Sequence, residues 1–185
     1  MAVLFKGVIF AFNFLLLLDS TAAVRGPNLL HRQIPDAFEV YARMPHIVAI
    51  SDSNNDTIFE CLSAKRTHFD PKAKEVTYVV MFKGHHGTEK KHVAFYVSAG
   101  STPNTILFTD DEHPDVPQTG EIAYTNHRNC FVVHFPYIGE QCILYVSKEV
   151  VDEVPEECVD QFGDICGVAV PEYSRDLCPN DEEEL

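Results

Sequence analysis

Six cysteines carry the most constraining chemistry in this chain: Cys61, Cys130, Cys142, Cys158, Cys166 and Cys178. No C-x-x-C spacing sets any pair up as thiolate zinc ligands, and the even number in one short chain reads as three disulfides of an oxidising compartment. Spacing alone leaves about 15 pairings open. The nine histidines include His85-His86, which with His92 can converge across a hairpin. No acid or thiolate joins them at ligand spacing, so we expect no metal and no cofactor. Glu156-Glu157 are neighbours on a helix surface, where facing catalytic acids would need to oppose one another. The chain has no Gly-x-Ser-x-Gly elbow, phosphate loop or dinucleotide fingerprint, which argues against an enzyme. With 28 acidic against 14 basic residues and a net charge of −14, it lacks the basic footprint that nucleic acid or anionic membrane requires.

The elements that position these groups follow from the pattern. Residues 1–23 read as a cleaved signal peptide: Lys6 is the basic start, 8–18 are apolar, and Thr21-Ala22-Ala23 suit signal peptidase. The apolar stretch is too short to span a bilayer, so the protein is expected to be secreted. Roughly 160 residues remain, 24–185, enough for one domain with a real core. Residues 24–33 show no periodicity and are expected to be a mobile lead-in. Residues 35–43 suit a short helix, capped by Asp36, with Phe38 and Tyr41 on one side. It can plug one end of a larger structure.

After residue 46 the apolar period switches to two. Strands are expected near 47–51, 57–65, 76–83, 92–98, 105–109, 121–125, 130–135 and 142–148, separated by turn residues. Such an antiparallel meander closes into an up-and-down barrel that holds one small ligand. The third strand is apolar on both faces, with Val76, Tyr78, Val80 and Phe82 on one and Val79 and Met81 on the other, which suits an apolar lumen with a partly covered outer wall. The cover is an amphipathic helix over 155–162, with Val154, Cys158 and Phe162 four apart and acids in its first turn. An acidic tail, 180–185, closes the chain.

Gly139-x-x-Cys142-x-Leu144-x-Val146, then Val154-Pro155-x-x-Cys158-x-x-x-Phe162, then Cys178, resembles the tick salivary lipocalins of the histamine-binding type. So do Phe59-x-Cys61 on an early strand, Ile122-Ala123-Tyr124 leading to Asn129-Cys130, and Asp36-Ala37-Phe38. The resemblance implies an all-β, eight-stranded antiparallel lipocalin barrel with a short N-terminal helical turn and an outer C-terminal helix. It also implies the disulfides Cys61–Cys178, Cys130–Cys158 and Cys142–Cys166, and a ligand ammonium held by carboxylates and aromatic walls. In that alignment Asp52 matches a family acid. The acid of the last strand falls on Ile143 and its tryptophan on Tyr145. A third acid has no counterpart near Lys91 and His92.

The lumen candidates are therefore Asp52, Tyr78, Phe82, Phe108, Tyr124, Ile143 and Tyr145, with Phe131 and Phe135 as further strand aromatics. Because Ile143 cannot balance an ammonium, the expected cargo is a small host mediator of apolar or mixed character: a leukotriene, fatty acid or sterol, with biogenic amines as the family's own ligands. Any single aromatic also serves simply as barrel filling. A second reading makes the barrel a scaffold whose loops 84–87 and 110–115 engage a host immune protein or cell. Asn55-Asp56-Thr57 is a glycosylation sequon, which puts that turn outside. The protein is expected to be a monomer.

Overall fold

The computed structural model describes residues 26–55, 57–83 and 90–178. The expected signal peptide 1–23, the loop 84–87 and the acidic tail 180–185 lie outside the described residues. A short helix α1, Ala37–Arg43, precedes eight strands: β1 His46–Asp52, β2 Ser63–Asp70, β3 Glu75–Phe82, β4 Lys91–Ala99, β5 Thr105–Asp110, β6 Gln118–Thr125, β7 Cys130–Phe135 and β8 Gln141–Ser147. Each strand pairs antiparallel with the next; β8 pairs with β1, and β1 with β2, which closes the barrel. The closing seam is short. Only His46, Ile47 and Val48 of β1 meet β2, while the other half of β1 pairs through Ser51 and Asp52 with a ninth strand, β9 Val170–Pro171.

Period-two alternation divides the apolar residues between two cores. Ile47, Ala49, Val76, Tyr78, Phe108, Phe131, Ile143 and Tyr145 point inward. Cys130, Val132, Cys142, Leu144 and Val146 point outward, under helix α2, Glu156–Cys166, which covers them with Cys158, Phe162 and Ile165. All seven residues of β8 are consequently buried. The helix runs beyond the expected 162 because Ile165 and Cys166 continue its apolar stripe. It stops at Gly167, whose φ of 81° an L side chain rarely adopts. Disulfides Cys130–Cys158 and Cys142–Cys166 fasten its two ends to β7 and β8, and Cys61–Cys178 ties the C-terminal segment to the β1–β2 connection, the pairing that the resemblance implies.

Two expectations are corrected. The second strand begins at Ser63, not 57: Thr57 and Cys61 have φ of 61° and 57°, so the Phe59-x-Cys61 stretch is a turn, not a strand. Phe38 and Tyr41 of α1 meet different parts of the barrel. Tyr41 enters the barrel against Tyr78 and Phe131, whereas Phe38 stacks on Phe69 at the rim. Asp36 caps the helix as expected, accepting from the Phe38 and Glu39 amides. Its other end is held from the barrel wall. Arg66 donates to the Tyr41 and Ala42 carbonyls and the Tyr78 hydroxyl to those of Tyr41 and Met44.

The N-terminal lead-in, expected to be mobile, is strapped to α2. The Leu29 and Leu30 amides donate to the Asp164 carboxylate at 2.7 and 2.8 Å, Arg32 pairs with the same group, and Gly26 and Asn28 donate to the Ile165 and Asp164 carbonyls. Burial pulls the Asp164 pKa upward, but the Leu29, Leu30 and Arg32 hydrogen bonds outweigh it and hold the carboxyl below its ordinary value. A carboxyl depressed in the folded state stabilises above its unfolded pKa and stops doing so as pH falls through the folded one. Hydrogen-exchange protection of the Leu29 and Leu30 amides, corrected for intrinsic rate, should therefore persist at neutral pH, fade below about pH 4, and be absent at every pH in Asp164→Ala. Undiminished protection in that variant would mean that the strap is held by something else.

Candidate ligand-binding lumen

The helix plug and the turn geometry define two ends. The β2–β3, β4–β5 and β6–β7 turns share one with α1, which is anchored there by the Ala37 amide on the Pro103 carbonyl. The opposite ends of the strands, at Asp52 of β1, Phe82 of β3, Asp110 of β5 and Phe135 of β7, mark the mouth.

Two β-bulges decide which candidates reach the interior. In β1 the pairing with β8 shifts between Ala49 and Ser51, so Asp52 lies opposite Ile143 on the inner face. Strict alternation from the inward Ala49 would have turned it out. In β6 the register shifts between Ile122 and Tyr124, so Tyr124 lies opposite Val132 on the outer face. There it packs in the cluster under α2, and burial together with the Glu157 charge raises its phenol pKa. Tyr124 is thus removed from the lumen set. Tyr78, Phe82, Phe108, Ile143 and Tyr145 line the interior, with Asp52 beside them.

These side chains nearly fill the barrel. Toward the plug, Tyr145 stacks on Phe131 at 5.2 Å between ring centres, and Tyr41 meets Phe131 edge-on at 5.9 Å. Toward the mouth, Phe108 stacks on Phe135 at 4.2 Å, and Tyr137 meets Phe95 and Phe82 at 5.0 and 5.9 Å. The space left is about 60 Å³, lined among others by Tyr41, Tyr78, Phe131 and Tyr145. A ligand larger than a few atoms must move rings of this wall.

Three acids are buried near this apolar chamber, none of them among the side chains that line its open space. Asp52 is fully buried, and its Oδ1 accepts the Ser53 amide at 2.6 Å. Glu172, following β9, is buried with its amide on the Ile50 carbonyl and its own carbonyl receiving the Cys61 amide. Burial, then the Asp52 and Glu172 charges, raise the Tyr145 phenol far above its usual pKa, so it stays protonated. Asp110 is buried at the end of β5, accepting the Glu112 and His113 amides at 2.9 and 2.8 Å. Burial, helped by Asp110, Glu112 and Asp111, pushes Tyr137 up to about 12. Lys83 is buried at the same end of the barrel.

Sequence reasoning missed Tyr41, Glu172 and Asp110. Helical spacing flagged Tyr41 only as plug material. Nothing in the local pattern around Glu172 distinguishes it from the surface acids of the tail. Of the loop 110–115, Asp110 folds inward, while Asp111 to Asp115 are exposed. Asn55 is exposed, and the middle residue of its sequon lies outside the described residues. Among the described residues no group of three or more His, Cys, Asp or Glu side chains is arranged to hold a metal ion, and no helix is long and apolar enough to cross a membrane.

The family model described as tick histamine binding protein matches residues 43–179. Comparison with curated protein sequences gives no match. Among solved structures, Japanin from Rhipicephalus appendiculatus, bound to cholesterol, superposes with a TM-score of 0.55 at 16% identity, over 77% of this chain and 99% of Japanin. The serotonin complex of AM182 gives 0.59 at 15% identity, over 76% of this chain and 91% of AM182. At such identities the likeness is one of fold.

Proposed function

Because the chain belongs to the tick histamine-binding protein family, we propose that it is a secreted salivary lipocalin that captures a small host mediator in its lumen and thereby blunts inflammatory and immune responses. It acts by sequestration and carries out no reaction. The mediator has mixed character: an ammonium attached to a compact aromatic or apolar body.

The observation that supports this reading is Asp52, a fully buried carboxylate that a bulge sets opposite Ile143 and whose charge acts on the Tyr145 phenol. A cation withdrawn from water needs a nearby anion, and aromatic faces add cation–π attraction. The isoleucine at 143 argues against the family's usual counter-charge on β8. Asp52 across the ladder, with Glu172 acting on the same Tyr145, supplies negative charge from the other side. The two neighbours span the chemistry, one holding an amine and the other a sterol. The small chamber favours the compact end of that range.

Calorimetric titration of the purified protein with histamine, serotonin, leukotrienes and cholesterol tests the reading. One of the amines is expected to bind at the lumen, and no binding by any of the four would overturn it. Asp52→Asn keeps the Ser53 contact but removes the charge. A hydrogen bond to a charged group contributes about 1.5–3 kcal/mol, so amine affinity should fall roughly 10- to 100-fold while any cholesterol affinity changes little. An equal loss for both would make Asp52 a structural residue only.

A further inference from the structure

We infer that the plug end of the lumen is a hydroxyl site, in which the Tyr41 and Tyr145 phenols hydrogen-bond the alcohol or phenol group at the leading edge of the ligand. The inference rests on the lumenal reading above and specifies which chemical group of the ligand goes in first.

Three tyrosines border the cavity, and they are not equivalent. The Tyr78 hydroxyl is used within the protein, on the Tyr41 and Met44 carbonyls at 3.2 and 2.5 Å. Those of Tyr41 and Tyr145 have no hydrogen-bond partner among the described residues. Their side chains are only 7% and 8% exposed, so what exposure they retain faces the cavity. Buried hydroxyls are normally paired, and two unpaired ones lining one small apolar space describe a binding site for a polar group.

The chemistry selects which group. Each phenol is both donor and acceptor, and a ligand hydroxyl is both as well, so it can accept from one phenol and donate to the other. An ammonium only donates and would leave both phenol protons unmatched. A carboxylate would face the charges of Asp52 and Glu172, which act on Tyr145. About 60 Å³ accommodates a hydroxyl and the few carbons next to it, with the body of the ligand extending toward the mouth. The ladder separates the two polar sites along that axis. Tyr145 lies opposite Ala49, whereas Asp52 and Ile143 lie opposite one another nearer the mouth. A ligand with a hydroxyl at one end and an ammonium at the other satisfies both.

Indole and 5-hydroxyindole isolate the hydroxyl because neither carries an ammonium. Titrated into the wild-type protein, 5-hydroxyindole should bind about 10-fold tighter than indole, the usual scale for one well-made buried hydrogen bond. In Tyr41→Phe/Tyr145→Phe that preference should collapse toward unity with indole affinity unchanged, each substitution removing one oxygen and no ring. An unaltered melting temperature in the double variant confirms that the fold is intact. Equal binding of the two probes to the wild type, a preference that survives in the double variant, or no binding of either would each overturn the hydroxyl site. If histamine, serotonin, leukotrienes or cholesterol still bind in that case, the lumenal reading stands and only this inference falls.

Discussion

Replacing Cys61 and Cys178 together by alanine is expected to cost about 4–5 kcal/mol of stability, the scale for a crosslink closing a loop of more than a hundred residues. The bridge joins positions 117 apart and sits where the barrel is weakest. The β1–β2 closure is three residue pairs long, and the mouth half of β1 depends on β9 instead. Two backbone hydrogen bonds hold that patch, from Glu172 to Ile50 and from Cys61 to Glu172, and both belong to the segment that Cys178 tethers. The chemical denaturation midpoint should therefore shift more than for Cys142→Ala/Cys166→Ala, whose bridge spans 24 positions and for which chain entropy gives about 3–4 kcal/mol. Ligand affinity should fall only in the first variant, because only there is Glu172 released. Equal effects of the two variants on affinity would dissociate the seam from the site.

Phe131→Ala should cost about 3–5 kcal/mol, the usual range for truncating a buried phenylalanine. Phe131 is fully buried, with Tyr145 stacked on one side and Tyr41 edge-on at the other. Its removal would take one ring from between two partners that arrive on different elements, β8 and α1, so local collapse cannot easily fill the gap. Thermal unfolding measures the loss. The lumen should gain room and take up a small apolar probe such as benzene, visible as a rise in melting temperature with added probe. A cost below about 1 kcal/mol would mean that Tyr41 and Tyr145 close the space on their own.

How much of this was legible in the sequence depends on whether a residue's position follows from period alone. Ile143 and Tyr145 inward with Cys142 outward follow from alternation on β8, and the helix stripe Cys158–Phe162 from a spacing of four. Tyr124 and Asp52 do not, because a bulge inserts one residue and reverses every later side chain, and neither Ala123 nor Ile50 advertises one. The start of β2 escapes periodicity for a similar reason. The stretch from Ile58 to Leu62 looks extended, yet a left-handed backbone at Cys61 folds it into a turn. The strap was invisible because it has no periodicity. Its order comes from the last turns of α2, with the Asp164 carboxylate at the centre, more than 130 residues away in sequence. Glu172 comes near Tyr145 only through the Cys61–Cys178 bridge and β9, a tertiary arrangement with no local signature.

The burial of all seven residues of β8 has a thermodynamic consequence. One face of the strand belongs to the ligand chamber and the other to the core beneath α2. Neither core can melt without exposing a wall of the other, so barrel and helix unfold as one cooperative unit. Free energy delivered by a ligand inside the barrel is thereby shared with a helix that never touches it.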